Sequence, residues 1–101
     1  IVGVDDTGPS VYSIDGAGGS IPDVYCATGS GSPYMYGVLE DGFREGMQKN
    51  DAIKLAARAL LASGQRDAAS GNGMDLAVIT ESEGFVQLTN EEVEKIIKSL
   101  K

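Results

Sequence analysis

The chain has 101 residues, 42% of them hydrophobic and 23% charged, and 15 acidic against 8 basic side chains give a net charge of −7. That is room for one domain at most, and an acidic chain with no Lys/Arg stripe is unsuited to a nucleic-acid backbone. With no histidine and a single cysteine, histidine triads, histidine metal sites, a disulfide framework and a zinc cluster within the chain are excluded.

Ile1–Val4 reads as a strand already under way at the first residue, with no initiator Met, which suggests a chain cut from something longer. No signal peptide opens it, and no stretch approaches the ~20 apolar residues of a membrane span. Asp5-Asp6-Thr7-Gly8-Pro9 is turn chemistry: Asp bonds back to the backbone, Gly takes positive φ and Pro fixes φ. Val11–Asp15 forms a second strand. The following Gly16-Ala17-Gly18-Gly19 reads as a flexible bend, since a phosphate loop would need a Gly-Lys-Ser/Thr ending. The third strand is expected at Val24–Ala27, with a start as early as Ile21. Cys26, lacking a histidine partner, reads as a buried, reduced thiol within it.

Two glycine-rich turns organise the rest: Thr28-Gly29-Ser30-Gly31-Ser32 and Ser70-Gly71-Asn72-Gly73. The first opens a helix, with Ser32 as N-cap and Pro33 as first helical residue. Met35, Val38, Leu39, Phe43 and Met47 give that helix an apolar stripe. Gly37, Gly42 and Gly46 each weaken it by about 1 kcal/mol relative to Ala, which suggests that they admit a neighbouring helix or chain. Asn50 is expected to cap a second helix over Asp51–Ala68, apolar round most of its circumference and so buried between two layers. Met74–Thr80 is the strongest strand, apolar on both faces. A turn over Glu81–Gly84 leads into Phe85–Leu88. The last helix starts from a Thr89/Glu92 capping box, turns Val93, Ile96, Ile97 and Leu100 inward, and ends basic.

The order is β-β-β-α-α-β-β-α, an α+β arrangement: one largely antiparallel sheet with helices on one face. The other sheet face is left apolar with no helix to cover it.

Taken together, Tyr12-Ser13-Ile14-Asp15 with Gly18-Gly19, Ala27-Thr28-Gly29-Ser30-Gly31-Ser32, Tyr36-Gly37-Val38-Leu39-Glu40, and Arg66-Asp67-Ala68-Ala69-Ser70-Gly71 running into Met74–Ile79 closely resemble the C-terminal half of an archaeal-type proteasome β subunit. The resemblance covers essentially all of residues 1–101. It implies half of the four-layer αββα sandwich of the N-terminal nucleophile hydrolases, and a part in a threonine endopeptidase that degrades unfolded polypeptides in the cytoplasm. The implied partners are other β subunits and α-ring subunits. The family's N-terminal threonine, acidic residue and lysine belong to the other half. Ile1 has no hydroxyl to replace the threonine, so the isolated chain is expected to be inactive.

Three residues carry over from the resemblance as supporting active-site groups: Ser30 of the Gly-Ser-Gly-Ser turn, and Asp67 and Ser70. Hydroxyls that both donate and accept suit a proton relay, and a carboxylate favours the charged form of a nearby amine. Read without the resemblance, all three are ordinary turn and helix-end residues. Gly29, Gly31 and Met35 or Tyr36 are candidates for contact with a neighbouring β subunit. No cofactor is implied, beyond a Mg²⁺ ion that backbone carbonyls near Arg66, Asp67 and Ser70 would hold. The competing reading is a non-catalytic half-domain that pairs with a copy of itself through the bare sheet face, using alternate residues from Leu76 to Ile79. A phosphate-binding module finds no lysine beside either turn.

Overall fold

The computed structural model describes residues 1–64 and 73–100. Its elements follow the expected order: β1 (Val2–Asp5), β2 (Gly8–Ile14), β3 (Ser20–Asp23), α1 (Ser32–Gly42), α2 (Lys49–Ala62), β4 (Ala77–Thr80), β5 (Gly84–Gln87) and α3 (Asn90–Ser99). All ladders among the described residues are antiparallel, as expected. The strands divide into two sheets, β1-β2-β3 and β4-β5, because β1 and β4 come close without forming a ladder.

Local chemistry sets the turns. Asp5 Oδ1 accepts from the Thr7 N–H at 2.8 Å and the Thr7 hydroxyl at 2.6 Å, and Gly8 completes the reversal at φ +114. Asp15 Oδ1 accepts from the Ala17 and Gly19 N–H groups at 3.0 and 2.8 Å, which makes residues 16–19 the structural bend expected of them. β3 lies earlier than expected and excludes residues 24–27. Pro22 suits an edge strand because it has no N–H to give to a ladder. Beyond it the Asp23 carboxylate takes the Val24 N–H at 2.8 Å, and the Tyr25 ring turns toward Phe43.

The helix ends also differ from expectation. In α1, Ser32 is already helical and Gly31 is the N-cap, without a side-chain cap. The helix stops at Gly42, with Phe43 extended, so Met47 falls outside it. α2 begins at Lys49 after Gln48 and ends with Ser63 as C-cap. There Ser63 Oγ bonds back to the Leu60 carbonyl at 2.5 Å, and Gly64 at φ +82 takes the left-handed position that stops a helix. α2 is also less enclosed than expected. Leu55, Ala57 and Ala59 are buried, but Ala52 and Ala56 are exposed. They line a cleft of about 690 Å³ with Val11, Tyr25, Leu39 and Phe43.

The core forms where α2, α3 and the start of the second sheet meet: Ala57, Met74, Leu76, Val93 and Ile97, flanked by Ile53, Leu60, Leu61, Leu88, Ile96 and Leu100. Strand alternation then sorts the remaining apolar residues. Val78 and Val86 pair across β4 and β5 and share a cavity with Ile53 and Ile96. Their neighbours Ile79 and Phe85 pair on the opposite face, where Phe85 is 67% exposed. In the first sheet, Ile1 is tied to Tyr12 by bonds of 2.8 and 2.9 Å. It stands with Tyr12 and Ile14 on a face that leaves Ile1 79% and Ile14 57% exposed. Both sheets therefore leave apolar side chains uncovered, Val2 and Val86 among them. Leu76, expected to share the uncovered face, is buried in the core instead.

Gly42 is the one of the three suspected helix glycines that admits a neighbour: an added Cβ would lie 2.5 Å from Leu55 Cδ1. Gly37 and Gly46 have open space around them, and Gly46 sits at φ +76 beyond the helix.

α3 carries the expected capping box. Thr89 Oγ1 accepts from Glu92 N–H at 3.2 Å, and the Glu92 carboxylate accepts from Thr89 N–H at 3.0 Å. The Thr89 backbone N–H and then its hydroxyl hold the Glu92 carboxyl below its ordinary 4.5. A carboxyl lowered in the folded state adds stability that is present above the unfolded value and lost as pH falls through the folded one. Urea titrations across pH should show wild type losing more stability than Glu92→Gln as pH drops below 4.5; parallel profiles would contradict the box. Thr89→Ala should cost about 1 kcal/mol at neutral pH.

Candidate functional site

The Thr28–Ser32 turn is delivered by residues 24–27, which lie along α1 rather than in the sheet. The Tyr25 ring packs edge-on to Phe43, centroids 5.3 Å apart, and tilted to Tyr36 at 6.2 Å. The neighbouring Glu40 carboxylate, which favours the protonated Tyr25 hydroxyl, together with desolvation pushes the Tyr25 pKa up to about 12. Tyr36 and Glu40 stand four residues apart on one face of α1 and Phe43 follows its end, so together they grip the segment. The Ala27 N–H donates to Tyr36 Oη at 3.1 Å, and the Tyr36 hydroxyl donates to Cys26 Sγ at 3.7 Å.

Cys26 is exposed, not buried as expected. Tyr25 takes the inward position, so the next side chain turns out. Ser13 Oγ donates to the same sulfur at 3.2 Å, and the Ser13 and Tyr36 hydroxyls hold the thiol below its ordinary 9.0. Both donors stabilise the thiolate more than the thiol.

From Ala27 the chain enters the turn. Gly29 stands at φ +95, and its carbonyl accepts from Ser32 N–H at 3.1 Å. The Gly31 carbonyl then starts the helix by accepting from Tyr34 at 3.1 Å and Met35 at 3.3 Å. Gly31 presses on the end of α2: an added Cβ would lie 2.8 Å from Ser63 Cβ and 2.9 Å from the Ser63 carbonyl oxygen. This contact places Ser30, whose side chain is exposed, beside the C-terminus of α2. Asp67 and Ser70 follow Ser63 by a few residues of sequence. They lie outside the described residues, as do the carbonyls considered for Mg²⁺. Among the described residues no group of three or more Cys, Asp or Glu side chains is placed to hold a metal.

Of the residues considered for contact with a neighbouring subunit, Met35 is buried and Tyr36 is turned to Ala27 and Cys26. Both serve the chain's own packing, whereas Gly29 is exposed. The sequence reading passed over the grip of Tyr25 and Tyr36 on the turn. Its signal was present in the spacing of Tyr36, Glu40 and Phe43 against Tyr25.

A family model described as "Proteasome subunit" matches residues 1–79. The proteasome subunit beta of Thermoplasma acidophilum is 50% identical over 100 residues, covering 99% of this chain and 47% of the relative. That of Ferroglobus placidus is 50% identical over 102 residues, covering 100% of this chain and 48% of the relative. That of Picrophilus torridus is 46% identical over 101 residues, covering 100% and 48%. The chain thus spans about half the length of the curated relatives it matches.

Gly31 and Gly37, six residues apart, should respond oppositely. Gly31→Ala drives a methyl into the Ser63 backbone and should cost about 1–3 kcal/mol. Gly37→Ala, in a helix with open space, should stabilise by about 1 kcal/mol. Denaturant midpoints for the two variants check this, and a neutral Gly31→Ala would contradict the close contact.

Proposed function

This chain belongs to the proteasome subunit family, and we propose that it forms the C-terminal half of a β subunit in a threonine-type endopeptidase that degrades unfolded polypeptides. The observation that carries the reading is the near end-to-end identity, at 50%, to an archaeal proteasome β subunit. In this reading Ser30, Asp67 and Ser70 support a nucleophile supplied by the other half of the domain.

The chemistry assigns them roles. A terminal amine that takes the proton of its own threonine hydroxyl needs oriented hydrogen-bond partners and a water held beside it. Ser30 and Ser70 can accept a proton from one side and donate to the other. The Asp67 carboxylate favours the charged form of the nearby amine or lysine. The contact of Gly31 with Ser63 supports the arrangement, because it holds the Ser30 turn near the segment that leads to Asp67 and Ser70.

The partners in this reading are the other half of the β subunit, neighbouring β subunits and α-ring subunits, in a cytoplasmic assembly. No helix among the described residues is long and apolar enough to cross a membrane. The uncovered apolar faces around Tyr12, Ile14 and Phe85 favour burial against another layer. They equally motivate a second reading, in which two copies of this chain pair through these faces without catalysis.

The test is assembly with the other half of the β-subunit domain and cleavage of a fluorogenic peptide. Activity should appear only in the complex. Asp67→Asn should then lower kcat by about 100-fold, as for loss of a group that orients proton transfer. Ser30→Ala and Ser70→Ala should each lower it by about tenfold, the scale of one lost hydrogen bond. A folded, reconstituted complex without peptidase activity would overturn the reading.

A further inference from the structure

We propose that Tyr36 is a positioning residue for the peptidase site, holding Ser30 in place through the backbone of the turn. The inference rests on the reading of Ser30 as a supporting active-site residue. It adds a residue that touches neither substrate nor nucleophile.

Three observations converge on it. Tyr36 Oη accepts from the Ala27 N–H at 3.1 Å, and Ala27 stands three residues before Ser30, at the entrance of the turn. This bond is part-buried, unlike the exposed polar contacts at the Asp5 and Asp15 turns. On the far side of Ser30, Gly31 abuts Ser63. The turn is therefore held at both ends, and between them Gly29 at φ +95 has the backbone freedom that a loose turn would exploit.

The rest of the ring's surroundings fit the role. Tyr25 packs on Tyr36 at 6.2 Å, which fixes the ring's tilt, and the Tyr36 hydroxyl proton is occupied by Cys26 Sγ at 3.7 Å. With the proton directed at sulfur, the oxygen lone pairs are left to accept from Ala27. Phenylalanine at this position keeps the ring and its packing but removes the acceptor, so the Ala27 N–H loses its partner and the entrance of the turn its tether.

The experiment is a double-variant cycle on the assembled peptidase carrying this chain: wild type, Ser30→Ala, Tyr36→Phe and the double variant. Active sites are counted by stoichiometric labelling of the nucleophile. Tyr36→Phe should lower kcat about three- to tenfold with KM unchanged. In the Ser30→Ala background it should have no further effect, because the residue it positions is gone. Amide hydrogen exchange at Ala27 should be faster in Tyr36→Phe. If Ser30→Ala lowers kcat but Tyr36→Phe does not, or if the two losses simply multiply, the positioning role is overturned while the reading of Ser30 stands. If Ser30→Ala itself leaves kcat unchanged, the reading of Ser30 falls and the role of Tyr36 falls with it.

Discussion

The close approach of Gly31 to Ser63 is the constraint on which the candidate site depends. A backbone turn and the C-terminus of a helix meet there with no room for a side-chain carbon. Because α1 starts at that point and α2 ends at it, one contact fixes three things together. It sets how the two helices lie against each other, where the Ser30 hydroxyl stands, and where the chain leaves α2 toward Asp67 and Ser70. At the other end of α1, Gly42 lies against the tip of the Leu55 side chain rather than against backbone. Residues 24–27 are drawn onto α1 by the packing of Tyr25 on Tyr36 and by the Ala27–Tyr36 bond.

The second constraint is one of supply. The chain buries a small core between α2, α3 and the start of the second sheet. It leaves Ile1, Val2, Ile14 and Phe85 largely in solvent on the two sheets. Apolar surface of this kind gains by burial at roughly 25 cal/mol per Å², so the exposed faces favour association. Relatives about twice as long have the additional chain from which a second layer can be made. In the proposed function, a complementary half covers these sheets and carries the nucleophile.

Much of this was legible in the sequence because it is local. The capping box at Thr89 and Glu92 depends on four residues, and the Asp15 bend on five, so composition and spacing were enough. The order of elements followed from periodicity, whereas Ser30 is singled out only by the family resemblance, since a serine between two glycines reads alone as an ordinary turn residue. What escaped was decided by contacts distant in sequence. Cys26 is exposed because Tyr25 packs on Phe43. Leu76 is buried because α3 folds back against it, which no alternation rule in its own strand could reveal. α2 stops early because Ser63 and Gly64 close it, where an apolar pattern alone ran on toward Ala68.

The central claim is that the uncovered sheet faces belong against a second, different half of a β-subunit domain. Native mass spectrometry of this chain, co-expressed with the remaining half of an archaeal relative's β subunit, tests it most directly. The account predicts complexes in which the two halves are present one to one. A symmetric assembly of this chain alone, with the other half left free, would contradict it.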